Sequence, residues 1–460
     1  MMTLLDGPLG LILLPLAAAP LAYLLRRWSA LAGLLASGVA LFLALVVLRL
    51  PLIPVSAESV VSVLGRELVL TPSNRLALAF VYALAAVIFT LGWRIPQGAP
   101  FFPLSLALLA ALSGALLVRP FLFAVLLLQI GAGLSVFLIQ SDRPGSTQAA
   151  LRYLVLTTLA VPPFLVAGWL VDVYATNPLE TSLLPTARGL IAFGFAILLT
   201  SVPFHSWMPA VGSEAPPLAA AFILGLNPLA VFMLLLTMLQ DFPWLAAGGA
   251  AYTWLRGGGL LLVALGGALA FSRRSFGRLM GYGALVELGA ALIALGMGQP
   301  VGLRAAVIIL ALRAISLVIT CAGLALLRQR VDNDTFEALR SRGWETPLGL
   351  AALMFGGLSL AGFPFTPGFV GRWALLALLV ASDLPAAAVV FLAGVSVAGG
   401  YLRGQAALLE GAVGLTRADP RLVRLLVGLA LAAAIVLSLF PQIFLPTADR
   451  LAGLFTFLGS

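Results

Sequence analysis

The sequence contains no lysine, so all 26 of its basic residues are arginine. It has one cysteine, Cys321, and one histidine, His205. Charged residues of both signs make up only 9% of the 460 residues. Each scarcity excludes something. A single cysteine cannot close a disulfide within the chain or build a Cys-based zinc or iron–sulfur centre. A single histidine leaves no cluster for a metal or a haem, so neither a metal site nor a cofactor is expected. The pI is about 10.7, yet no run of arginines is long enough for a nucleic-acid surface. No Gly-rich nucleotide loop follows a strand. An independent redox enzyme is therefore excluded, and no catalytic residue is assigned.

Apolar residues are what the chain has in excess, at 62%, with a mean hydropathy of +1.12. No soluble domain of this length hides that much apolar surface. The expected class is an all-α polytopic membrane protein embedded in a lipid bilayer. A span needs about 20 mostly apolar residues, and on that basis there are about 14 transmembrane helices. With the N-terminus placed outside, sixteen arginines fall in inside loops, eight outside, and two, Arg313 and Arg372, within spans. The bias follows the positive-inside rule and puts both termini on the outer face. The first apolar run is preceded by Asp6 and followed by Arg26 and Arg27. That order is the reverse of a signal peptide, so the run is read as a retained span. No low-complexity stretch divides the chain, and residues 1–460 are read as a single membrane domain.

Two extramembrane segments are long. Arg49 to Arg75 carries β-branched residues about Gly65 and predicts a small β-hairpin. Arg328 to Glu345 is strongly charged; it is read as a solvated connector, with Asp334 able to cap a short helix over Thr335–Arg340.

Proline punctuates two spans. In FAILLTSVPFHSWMPAVGSEAPP an apolar run meets Pro203, a polar loop follows, and Pro216–Pro217 open the next run. In LSLAGFPFTPGFVGRW the prolines are Pro364 and Pro367. Proline removes a backbone donor and breaks the helix ladder. The first segment reads either as a hairpin between two spans or as a span broken near its end. A break inside a bilayer is tolerated only where protein or a water-filled cavity covers it, and such breaks often mark ion paths.

PFHSWMPAVGSEAPP resembles the signature of the antiporter-like membrane subunits of NADH:quinone oxidoreductase (respiratory complex I), shared with multisubunit sodium/proton antiporters and membrane-bound hydrogenases. GRLMGYGALVELG is similar to that family's tenth helix, LSLAGFPFTPGFVGRW to its broken twelfth helix, and ALRYLVLTTLA to its sixth. The resemblance implies an inverted repeat of five-helix units with two broken helices. Repeat one covers about residues 100–240 and repeat two about 245–407, with flanking helices at 8–93 and 421–445. It implies a multi-pass protein of a bacterial inner membrane, with other membrane subunits of a complex-I-like assembly as partners.

An ionisable group at mid-membrane needs a partner or a task. Glu287, Arg313 and Arg372 lie within spans, accompanied by Gln129, Asn227, Ser316 and His205. Three charges with one acid among them predict a Glu287–Arg372 pair. Arg313 is the alternative partner, or else a side chain reaching toward headgroups. Ser and Thr hydroxyls are expected to bond their own helix backbones. His205 has a pKa range suited to proton exchange, and either stands at the mouth of a path or bonds the broken helix end. Glu214 is placed to cap the helix after Pro216. Cys321 is expected to pack.

The resemblance also shows departures. The family's pumping members place a Glu in span five and lysines in spans seven, eight and eleven. Here those positions align with Gln129, Leu198, the vicinity of Leu229 and Asn227, and Ile315. Span twelve keeps a charge as Arg372, and Glu287 stands where some hydrogenase-type members have Glu. Arginine does not pass a proton on by its own titration, whereas buried lysine does. The implied function is a membrane-arm subunit taking part in redox-coupled proton translocation through a reduced polar path. The alternatives are a non-pumping spacer in the same kind of complex, or a cation/proton antiporter subunit.

Overall fold

The computed structural model describes residues 7–50, 59–63, 65–140, 145–177, 180–411 and 419–458. In chain order the helices are α1 (Gly10–Leu24), α2 (Ser29–Arg49), α3 (Pro72–Gly92), α4 (Phe101–Leu117), α5 (Phe121–Ile139), α6 (Ser146–Leu159), α7 (Val161–Thr176), α8 (Leu183–Leu198), α9 (Trp207–Glu214) and α10 (Pro217–Asp241). They continue with α11 (Pro243–Ala246), α12 (Ala250–Ser272), α13 (Phe276–Leu295), α14 (Pro300–Arg328), α15 (Pro347–Leu360), α16 (Pro367–Ser382), α17 (Leu384–Leu409), α18 (Arg421–Leu439) and α19 (Leu445–Gly453). Among the described residues, eleven helical stretches are long and apolar enough to cross a membrane. Four shorter apolar helices accompany them: α4, α8, α15 and α16.

The starts of the helices follow from sequence. Pro72, Pro217, Pro300 and Pro367 each open a helix, where the missing N–H costs nothing. Thr71 caps α3 by accepting from the Asn74 amide, and Asp383 caps α17 by accepting from the Ala386 amide. A helix that is apolar all round must be covered on every side or face lipid. Both occur. The best apolar windows of α10 and α13 are 94% buried within the protein, and that of α14 is 89%, against 17% for α18. The three central helices therefore form the axis, and α18 faces outward.

Close approach fixes the crossing of α9 over α13. A methyl built on Gly281 would run into the Pro209 backbone, and one on Gly212 into the Gly277 carbonyl. Small residues allow backbones in a membrane to touch and gain dispersion where water supplies no driving force.

The hairpin expected about Gly65 is present. β1 (Ser59–Val63) pairs antiparallel with β2 (Arg66–Leu70), and Gly65 has φ +73 in the turn. β2 also pairs with β3 (Val118–Arg119), which continues the end of α4. The start of the long Arg49–Arg75 segment, residues 51–58, and the Asp6 end of the first run lie outside the described residues.

Two expectations for the loops fail. Asp334 is neither solvated nor the cap of a helix over Thr335–Arg340, which forms turns instead. It is buried and caps α13, accepting from the Gly277 amide at 3.0 Å and pairing with Arg328 at 2.7 Å. The first amides of α13 have no intrahelical partner, and an anion there is favoured by the helix dipole. The chemistry is that of a cap, delivered to a helix some 57 residues earlier in the chain. Glu214 does not cap α10, whose start has no side-chain cap from its own flank. Pro216 and Pro217 carry no N–H, and the first free amide, that of Leu218, donates to Gln97 Oε1 at 2.8 Å. Glu214 instead lies 4.0 Å from the Arg278 guanidinium.

Candidate functional site

The deepest charges converge beside the second helix break. Helix α15 ends at Leu360 and α16 begins at Pro367. Between them Gly362 has φ +70 and Phe365 φ +64. Glycine tolerates the left-handed region, and at Gly362 it is also needed for space, since the Arg372 side chain lies where a Cβ would be. That side chain crosses to α13, where its Nη2 meets the Glu287 carboxylate in an ion pair. Its Nη1 donates to the Val390 carbonyl of α17 at 3.3 Å. Glu287 is 1% exposed and Arg372 3%, so water screens neither.

Ser316 helps close the break. Its hydroxyl donates to the Leu312 carbonyl at 2.7 Å, the expected back-bond along its own helix. With that proton committed, Ser359 donates to Ser316 across 2.6 Å and accepts from the Gly368 amide at 2.8 Å. An amide freed by the break is thus tied to α14. Thr320 likewise bonds back to Ser316 O, and Cys321 packs, fully buried, against Met280.

Arg313 neither pairs with Glu287 nor reaches toward headgroups. It is 1% exposed. Pro228 within α10 has no N–H to give to the carbonyl four residues back, which is that of Leu224. Arg313 Nη1 donates to Leu224 O at 2.7 Å in its place. Its Nε donates to Ala284 O of α13 at 2.9 Å, and Nη2 reaches Met208 Sδ of α9 at 3.8 Å. One permanent cation therefore joins α10, α13 and α9, one helical turn from Glu287. Sequence reasoning missed this role, although a deep proline with an arginine among the spans was a readable signal.

The first break holds neutral groups. Helix α8 ends at Leu198, Thr200 has φ 59, and a 3-10 turn over Phe204–Ser206 leads into α9. Pro203 immediately precedes that turn, and His205 lies half-buried within it. Nearby, Asn227 Nδ2 donates to the Tyr153 hydroxyl at 2.8 Å, and the Tyr153 ring packs on Trp207. Gln129 Nε2 donates to Thr158 at 2.6 Å. Gln129, Tyr153, Thr157 and Asn227 line a cavity of about 30 Å³, enough for a water or two where one needs roughly 10–15 Å³. The structure thus brings Gln129 and Asn227 to one cavity, and Glu287, Arg372 and Ser316 around the other break. Among the described residues no group of His, Cys, Asp and Glu is arranged to hold a metal.

This arrangement can be compared with known proteins. The family model described as "NADH:quinone oxidoreductase/Mrp antiporter, TM" matches residues 121–397, more than half of the chain. The chain belongs to this family. Both breaks, the ion pair and Arg313 fall within the matched residues. NADH-quinone oxidoreductase subunit N of Chromohalobacter salexigens is 28% identical over 257 residues, covering 51% of this chain and 52% of that relative. The chain spans about half the length of such curated relatives. Among solved structures, a chain of the membrane-bound sulfane sulfur reductase, an archaeal respiratory membrane complex, superposes with a TM-score of 0.84 at 19% identity over 96% of both chains. A chain of respiratory complex I from Thermus thermophilus with bound NADH gives 0.78 at 21% identity, over 97% of this chain and 100% of that one. At these identities the likeness is one of fold. It shows a multi-span membrane protein of the architecture found in multisubunit membrane complexes.

Proposed function

We propose that the chain is an antiporter-like membrane-arm subunit of a complex-I-like NADH:quinone oxidoreductase in a bacterial inner membrane, and that it takes part in redox-coupled proton translocation. The observation that carries this reading is the buried Glu287–Arg372 ion pair at a helix break. Among the described residues, Glu287 is the one acid buried within a spanning helix. Arg372 and Arg313 stay protonated, so a proton moving through this region is taken up and released by the Glu287 carboxylate. Protonation of Glu287 removes the partner of Arg372. The guanidinium then leans on the carbonyls at hand, that of Val390 first. A charge step at one site thereby becomes a change of packing between α13, α16 and α17.

The same reading makes about fourteen crossings of these helices. Each broken pair, α8 with α9 and α15 with α16, then counts as one span. The two five-helix units, about residues 100–240 and 245–407, are related by inversion, and both termini lie on the outer face. Gln129, Asn227 and the small cavity serve the first unit as neutral groups that order water without a switching charge, and His205 stands in the turn that leads into α9. That neutrality favours a second reading, a subunit that seals and spaces a complex without pumping. A cation antiporter is less well supported, because a dehydrated cation needs more oxygen ligands than one paired carboxylate offers.

A tagged chain purified gently from native membranes tests the assignment. Other membrane subunits, and subunits that oxidise NADH and reduce quinone, are expected to come with it. A chain that emerges alone and exchanges sodium for protons by itself in vesicles would contradict the assignment.

A further inference from the structure

An apolar cleft with a volume of about 100 Å³ lies between α8 and α12. Its walls include Ile191, Ala192 and Ala196 of α8 and Trp254 of α12, with Leu235 of α10 behind. Trp254 is 50% exposed, so the opening presents an apolar face to the outside of the protein. Arg188 stands at one end of the cleft. The other end lies at Leu199 and Ser201, at the first helix break.

Two features give the cleft an occupant. Arg188 donates to the Trp244 carbonyl, pairs with no carboxylate among the described residues, and keeps a buried Nε without a protein partner. With Nη2 spent on that carbonyl and Nε enclosed, Nη1 is the donor left to offer a phosphate oxygen, and the uncompensated charge favours an anion there. The second feature is length. Eleven residues of helix separate Arg188 from Leu199, about 16 Å at 1.5 Å per residue, which matches one leaflet, half of the roughly 30 Å hydrocarbon core. Trp244, whose carbonyl accepts from Arg188, stands at that end, the usual level of interfacial aromatic residues, while Trp254 is one helical turn from Gly258, which lies against Ser201 at the break.

We propose that this cleft is a phospholipid site, with the phosphate on Arg188 and one acyl chain lying along α8 down to the break at Ser201. The chain would cover the freed backbone of the broken helix on its lipid side, so that the break opens only toward the protein interior. The site is separate from the Glu287–Arg372 pair and does not depend on the functional reading above.

Trp254 supplies the test. The full-length protein in detergent is titrated with phosphatidylglycerol brominated at mid-chain, and the Trp254 signal is taken as the difference between the parent and Trp254→Phe. Quenching is expected in the parent, with the half-quenching concentration raised about tenfold or more in Arg188→Gln, as loss of a charge-assisted phosphate contact implies. Ala196→Phe, which fills the cleft and keeps Arg188, is expected to abolish the quenching. Equal quenching in the parent and Ala196→Phe would mean ordinary boundary lipid and would overturn the proposal. So would a brominated fatty alcohol, which lacks phosphate, matching the phospholipid with no dependence on Arg188. If Arg188→Gln does not fold, the Ala196→Phe result decides.

Discussion

Arg372→Ala is expected to destabilise the protein by about 3–5 kcal/mol, the usual cost of removing one member of a buried ion pair. The penalty comes less from the lost attraction than from what remains. Glu287 would be left 1% exposed with no cation in contact, and Gly362 would face the space that the arginine stem fills. The double variant Arg372→Leu/Glu287→Leu should recover most of the loss, because replacing a whole buried pair by apolar groups is often neutral or stabilising. Thermal unfolding midpoints of the purified variants, read by size-exclusion chromatography after heating, check both. A double variant no better than Arg372→Ala would mean that the two side chains do not act as a pair.

Arg328→Ala is expected to cost a comparable amount, again about 3–5 kcal/mol, for a different reason. Arg328, at the end of α14, gathers three carbonyls at the α9–α10 junction, those of Gly212, Ser213 and Ala215. It also pairs with Asp334, which caps α13. Both side chains are only 6% exposed. Removing the arginine unpairs a buried carboxylate and releases the α9–α10 junction together. Asp334→Asn keeps an acceptor for the Gly277 amide and should cost less. The same thermal measurement ranks them, and an Asp334→Asn effect as large as that of Arg328→Ala would place the cost in the ion pair alone and contradict a share for the carbonyls that Arg328 gathers.

How much of this was legible in the sequence differs by feature. The fold class was legible because hydropathy is a one-dimensional property: apolar runs of span length need no knowledge of neighbours. The breaks were legible at Pro203, Pro364 and Pro367, since proline acts on its own backbone. The Glu287–Arg372 pair followed from a shortage: one acid among three deep charges must go to one of two arginines, and the broken helix favoured Arg372. What failed was which side chain satisfies the backbone of a distant helix. Asp334 was read against its own neighbours and instead caps α13. Glu214 was read as the cap of α10, but Gln97 serves that helix. Arg313 was expected at the pair or the headgroups, and it satisfies a carbonyl orphaned by Pro228. In each case the orphaned backbone group was predictable from proline or helix-end chemistry, while the residue that answers it is a tertiary fact without a local pattern.

The central claim is that Glu287 carries the moving charge of this subunit while the neutral groups of the first half do not. The direct measurement is proton uptake per NADH oxidised, in proteoliposomes holding the intact complex, for Glu287→Gln and Gln129→Leu normalised to assembled complex. The account predicts that Glu287→Gln lowers the ratio clearly and that Gln129→Leu leaves it near that of the parent. An unchanged ratio in an assembled Glu287→Gln complex would contradict the claim and leave the subunit a spacer.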